Sequence, residues 1–174
     1  MREPQALFAN FNFHPSLCVG CGACVTACMD EHDAFPVSSA RTLLRRIGEQ
    51  QRVRDGKPVL SWYSVGCLHC GSHECMDVCP KNCFSLDRET GTVQLDNAAC
   101  IGCRACARAC RFDGIVFWAD KAEKCDGCLH RLRHGRTPRC VDACPRHAIT
   151  IDDRPAVRAA EQEKLVRVLA AEKR

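Results

Sequence analysis

The sequence predicts an α+β protein in which short strands and helices are arranged around thiols. Three observations carry this. Cysteine is nearly one residue in ten, 17 of 174, and sixteen of them fall into four runs of four. Segments between the runs alternate apolar and polar residues about turn signals, the pattern of strands and hairpins. The chain then closes on a stretch with apolar residues at helical spacing.

Taken in order, residues 1–13 interleave Phe8, Phe11 and Phe13 with Asn10 and Asn12, which reads as a short strand or as an arm that contacts a partner. The first run follows, with Cys18, Cys21, Cys24 and Cys28. Gly20 and Gly22 suit loops that turn backbone N–H groups toward sulfur, and a helix starting at Ala23 would carry Cys28 away from the first three thiols. Residues 29–66 hold no thiol. There, 42–53 is rich in Leu, Ile and Arg, Asp55-Gly56 is a turn signal, and 59–65 reads as a strand, so 41–66 is an inserted β-hairpin. Arg41, Arg45, Arg46, Arg52 and Arg54 make it basic, either as a solvated face or as a docking surface.

The second run is Cys67, Cys70, Cys75 and Cys79. Between it and the third run, 84–87 and 92–96 flank Arg88-Glu89-Thr90-Gly91, giving a second hairpin. The third run is Cys100, Cys103, Cys106 and Cys110, followed by an apolar strand at 115–118. The last run opens with Cys125 and Cys128, continues through an eleven-residue loop, and closes with Cys140 and Cys144 before a strand-like 148–151. In the tail, 155–174, residues Val157, Ala160, Leu165, Val168 and Leu169 fall roughly on one face of a helix.

Three thiols two to four residues apart, with a fourth three residues on, suit an iron–sulfur cluster. In bacterial two-cluster ferredoxins the fourth Cys of each run ligates the other run's cluster. Sixteen thiols at four per cubane fill four [4Fe–4S] clusters and leave Cys83 over as a small buried apolar residue. Zinc is the alternative metal, in a zinc-organised binding module, but Cys₄ zinc sites use two-Cys knuckles. Cys21, Cys70 and Cys103 would then have no role. A disulfide scaffold fits poorly, because the count is odd, the thiols cluster at i, i+3 and the N-terminus lacks a secretory pattern. These features point to a reducing compartment.

The hairpin between the second and third runs joins them as a crossed pair. Cys67, Cys70, Cys75 and Cys110 then hold one cluster, and Cys100, Cys103, Cys106 and Cys79 another. By elimination the first and last runs pair, with Cys18, Cys21, Cys24 and Cys144 on a third cluster and Cys125, Cys128, Cys140 and Cys28 on a fourth. The expected architecture is two ferredoxin-like (βαβ-type) halves related by pseudo-two-fold symmetry, with the inserted β-hairpin and a C-terminal helix. Residues 1–152 form the four-cluster domain: an outer half of 13–33 with 115–151, the hairpin 41–66, and an inner half of 67–114. Residues 153–174 form the helical tail.

The charge balance, 25 Lys and Arg against 21 Asp and Glu, does not suggest nucleic acid, and thiolates absorb part of the basic excess. No apolar segment reaches the roughly 18 residues of a membrane span. No phosphate loop, Ser-His-Asp pattern or carboxylate pair suggests catalysis by this chain.

Cys67-x-His69-Cys70-x4-Cys75-x3-Cys79-Pro80, and Lys124-Cys125-Asp126-Gly127-Cys128 with its long loop to Cys140-Val141-Asp142-Ala143-Cys144-Pro145, closely resemble the four-cluster iron–sulfur subunit of the dimethyl-sulfoxide-reductase (complex iron–sulfur molybdoenzyme) family. The resemblance covers about residues 14–151. It implies a non-catalytic subunit that relays electrons between a large molybdenum- or tungsten-bis(pterin) catalytic subunit and a quinone-reactive membrane-anchor subunit or a soluble redox partner. Related subunits serve hydrogenase and formate-hydrogenlyase assemblies, the alternative within the same reading. The subunit would be cytoplasmic or membrane-associated through its partners, with export on a partner's twin-Arg signal open. One departure is Arg111, which follows Cys110 where relatives commonly have Pro.

Some single residues have two readings. His69 and His73 lie in a cluster loop as hydrogen-bond donors that raise a potential, or as loop-capping or surface residues. Lys121 and Lys124 bias a cluster or contact a partner, or are surface charge. Arg131, Arg133, Arg136 and Arg139 load the long loop, where nucleic-acid binding lacks a groove-reading motif.

Overall fold

Among the described residues, strands pair either with the next strand in the chain or, for the first and last, with each other. The computed structural model describes residues 11–32 and 43–151; the expectations for 1–10, Arg41, Thr42 and the tail 153–174 lie outside the described residues. In chain order the elements are β1 (Phe11–Phe13), α1 (Ala23–Glu31), β2 (Arg45–Arg54), β3 (Lys57–Gly66), α2 (Glu74–Asp77), β4 (Phe84–Asp87) and β5 (Thr92–Leu95). Then follow α3 (Ala105–Ala109), β6 (Ile115–Trp118), β7 (Lys121–Lys124), α4 (Leu129–Arg133), α5 (Arg139–Asp142) and β8 (Ile149–Ile151).

The strands form two-stranded antiparallel ribbons, β2–β3, β4–β5, β6–β7 and β1–β8. In the last, Phe11 lies opposite Ile151 and Phe13 opposite Ile149, so the two ends of the described chain are zipped together. The helices agree with this pairing, since α1 packs on α5 and α2 on α3. This is the mixed α/β architecture of small hairpins and few helices expected from the sequence.

The β2–β3 ribbon turns at Asp55 and Gly56, both with positive φ (51° and 73°), the requirement of a type I′ hairpin. The base of the ribbon is buried through Arg45, Tyr63, Ser64 and Val65, while its distal half is exposed. β7 is an addition to the expected strands. It pairs with β6 through Ala119 and Asp120, which also have positive φ (46° and 61°) although neither residue advertises such a turn. The loop expected between Cys128 and Cys140 is also corrected: its first part is α4, whose Leu132 is fully buried.

Two small cores hold the fold. One gathers Phe11, Phe13, Tyr63, Val65, Leu68, Phe112, Leu132 and Ile149 around Cys24 and Cys140. The other gathers Phe84, Val93, Ile115 and Ala122 around Cys83, Cys100 and Cys106. Thiols are therefore core residues here. Among the described residues, no helix is long and apolar enough to cross a membrane.

Candidate iron–sulfur centres

All four cysteine runs use one backbone device. The residue before the second Cys is left-handed each time: Gly20 (φ 68°), His69 (48°), Gly102 (70°) and Gly127 (78°). A second left-handed residue caps the helix that follows: Gly22 before α1, His73 before α2, Arg104 before α3 and Cys128 before α4. Left-handed residues set among right-handed ones curl successive N–H groups into an anion-binding concavity. At Gly20 the constraint is doubled, because a Cβ there would also strike the Trp62 ring.

The concavities point amides at sulfur. Gly102 N donates to Cys100 Sγ (3.4 Å) and Gly127 N to Cys125 Sγ (3.3 Å). The closing Cys of three runs receives an amide from four residues on: Cys83 N to Cys79 Sγ (3.4 Å), Gly114 N to Cys110 Sγ (3.3 Å) and Ala148 N to Cys144 Sγ (3.2 Å). Each donor follows a left-handed residue: Asn82, Asp113 and His147. Cys28 differs, lying inside the nine-residue α1. Ala122 N, on β7, adds a second donor to Cys100 Sγ (3.4 Å).

Eight of the run thiols line two recesses. Cys18, Cys21, Cys24 and Cys144 line one recess, walled by Phe13, Ile47 and Ile149. Cys79, Cys100, Cys103 and Cys106 line another, with Cys83 on the same wall. Cys75 feels the thiols of Cys67, Cys70 and Cys110, and Cys128 those of Cys140 and Cys28. At Cys125 burial raises the pKa most, and the thiols of Cys67 and Cys28 raise it further.

Burial pushes Cys24, Cys28, Cys75, Cys106, Cys110, Cys125 and Cys128 toward the neutral form. The pKa of Cys28 rises to about 11, and those of Cys75 and Cys128 to about 12. At Cys79 and Cys144 burial acts upward too, but backbone amides overcome it and the pKa falls. Cys83 stays a thiol, pushed up to about 11 by burial and by its hydrogen bond with Cys79.

Buried thiols with amides aimed at sulfur fit a cationic group that takes thiolates, since binding displaces the protons. Soft thiolate donors suit iron–sulfur or zinc.

Other expected site residues fall out differently. His69 is 1 % exposed, stacks on Phe11 at 5.7 Å, and its Nδ1 accepts from Val93 N at 2.9 Å, so that nitrogen props β5 and does not point at sulfur. Lys124 is not surface charge. It is buried, and its Nζ donates to Val93 O and, at 2.6 Å, to Cys125 O. Arg131 and Arg133 are engaged by carboxylates, Arg131 by Glu31 and Asp142 and Arg133 by Asp87. His32, Asp126 and Cys128 also place three ligand atoms within 4.8 Å, a grouping that shares Cys128 with the thiol sets. Arg45, read as part of a basic face, is buried among the thiols; nothing in a run of arginines distinguishes it.

Comparison with known proteins bears on the metal. Residues 59–154 match the family described as 4Fe-4S dicluster domain, and residues 11–28 the 4Fe-4S binding domain. The chain is 37 % identical over 145 residues to the probable anaerobic dimethyl sulfoxide reductase chain YnfG of Escherichia coli (strain K12), covering 80 % of this chain and 70 % of that one. It is 36 % identical over 146 residues to an anaerobic dimethyl sulfoxide reductase subunit of Haemophilus influenzae, covering 80 % and 71 %. Protein NrfC of Escherichia coli (strain K12) is 36 % identical over 138 residues, covering 78 % and 60 %. The zinc alternative gives way to 4Fe–4S clusters.

Proposed function

This protein belongs to the 4Fe–4S dicluster family that includes the iron–sulfur subunit of anaerobic dimethyl sulfoxide reductase, and on that footing we propose that it is a four-cluster electron relay. In this reading it does no substrate chemistry. Its ligand sets are Cys18, Cys21, Cys24 and Cys144; Cys28, Cys125, Cys128 and Cys140; Cys67, Cys70, Cys75 and Cys110; and Cys79, Cys100, Cys103 and Cys106. The outer half is 13–33 with 115–151, and the inner half 67–114. The observation that carries the reading is the repeated left-handed loop with its amides directed at sulfur.

Bound clusters would supply one-electron transfer, and in this reading the elements that carry the ligands support an order. The first two sets share α1 through Cys24 and Cys28, the middle two interact through Cys67 and Cys125, and the last two share α3 with the Cys110 that follows it. Cys21 and Cys103 are exposed at opposite ends of that order, beside exposed Val19 (50 %) and Ile101 (59 %). These ends serve as ports. One faces a large molybdenum- or tungsten-bis(pterin) subunit, the other a quinone-reactive membrane subunit or a soluble redox protein. Anaerobically purified protein should be brown, with about sixteen Fe per molecule from four cubanes. Two Fe or fewer, or stoichiometric zinc, contradicts the proposal.

A further inference from the structure

Arg45 opens β2 opposite Gly66, at the base of the inserted hairpin. Most of its strand is exposed to some degree, yet Arg45 is only 3 % exposed. Its Nη1 donates to Ser64 Oγ at 3.0 Å, and that hydroxyl lies 3.6 Å from Cys24 Sγ. Its guanidinium carbon stands 5.8 Å from the centre of the Phe11 ring. Nη2 has no hydrogen-bond partner among the described residues, and none of their carboxylates pairs with Arg45. The space is kept open by the backbone, since a Cβ on Gly66 would press to 3.1 Å from Nη2. A buried cation without a counter-ion is costly. What offsets the cost is thiol: burial works against its charge, and the sulfurs of Cys140, Cys125, Cys28 and Cys24, in falling order, work for it.

We propose that Arg45 is a potential-setting residue, a fixed cation supplied by the inserted hairpin that raises the reduction potentials of the two centres joined by α1, those of Cys24 and Cys28. The inference rests on the cluster assignment above and adds to it the role of a residue that ligates nothing. Reduction adds one negative charge to a cluster without making or breaking a bond; the electron comes from one neighbouring centre and leaves to the next. A nearby cation therefore favours the reduced form, and net charge is among the factors that set such potentials. Since Arg45 is shielded from water, the effect is barely screened by salt.

The test compares Arg45→Met, Arg45→Gln and Arg45→Lys in the anaerobically purified full chain, with iron content and an EPR-monitored redox titration for each. Arg45→Gln retains a donor for Ser64 but removes the charge; Arg45→Lys retains the charge. The expected result is full iron, with two of the four potentials lowered in the Met and Gln variants and close to wild type in the Lys variant. The affected signals should be those lost in Cys24→Ala and Cys28→Ala. Iron-replete Met or Gln variants with unmoved potentials, or with all four shifted equally, overturn the inference, as does loss of iron in all three variants alike. Wild-type protein short of four clusters overturns the underlying reading, and this inference with it.

Discussion

Asp87 closes the turn between β4 and β5. Its Oδ1 accepts from Thr90 N (2.9 Å) and Thr90 Oγ1 (2.8 Å), and its Oδ2 meets Arg133 of α4. Burial pushes its pKa up, but the Thr90 amide and hydroxyl and the Arg133 guanidinium outweigh that and hold it below the usual carboxylate value. A folded pKa below the unfolded one stabilises the fold above the unfolded value, about 4, and the benefit is lost as pH falls through the folded value. Wild type should therefore melt above Asp87→Asn at neutral pH, with the gap closing as the solution is acidified below about pH 4. Paired thermal melts check this, and a gap that widens on acidification contradicts it. At this scale the thiols were legible because the spacing of metal ligands is written in the sequence. Arg45 and Lys124 were not, because their burial is decided by Gly66, Ser64 and Val93, remote in sequence. His69 was legible as a loop residue, but its bond to Val93 appears only once β5 folds back over it.

The inserted hairpin divides at the element scale into a packed base and a projecting tip. Tyr63 and Val65 belong to the main core, and Arg46 Nη1 donates to Asp113 O at 3.0 Å, which fixes the base against the segment after Cys110. Toward the tip, Val53, Val59 and Leu60 are exposed, and an isolated two-stranded ribbon is marginal in water. Replacing residues 51–60 by an Asn-Gly turn should keep iron at the wild-type level. It should shift Tm by less than about 4 °C, the effect of about 1 kcal/mol in a chain of this length. Loss of iron would show that the tip supports the centres. β2, β3, β4 and β5 could be read because alternation and turn residues agree locally. β7 could not, because Lys121-Ala122-Glu123-Lys124 has poor strand propensity and only pairing with β6, with Ala122 buried, makes it a strand. α4 was hidden for a related reason, a short basic segment anchored by one buried leucine.

At the scale of the whole molecule, the fold depends on its two ends meeting. β1 pairs with β8, α1 packs on α5, and Cys144 faces the recess lined by Cys18, Cys21 and Cys24. No local pattern announces contacts across more than a hundred residues; once the two inner runs pair, four runs of four thiols leave the outer two only each other. In the proposed reading the ligands of each outer centre come together only when the fold forms, so cluster binding and folding are one process. The most direct test of this crossed arrangement is the EPR spectrum of reduced Cys144→Ser set beside those of Cys21→Ser and Cys125→Ser. The account predicts that Cys144→Ser alters the same signal as Cys21→Ser and spares the one altered by Cys125→Ser. If Cys144→Ser instead alters the Cys125 signal and leaves the Cys21 signal intact, each run holds its own cluster and the crossed relay is wrong.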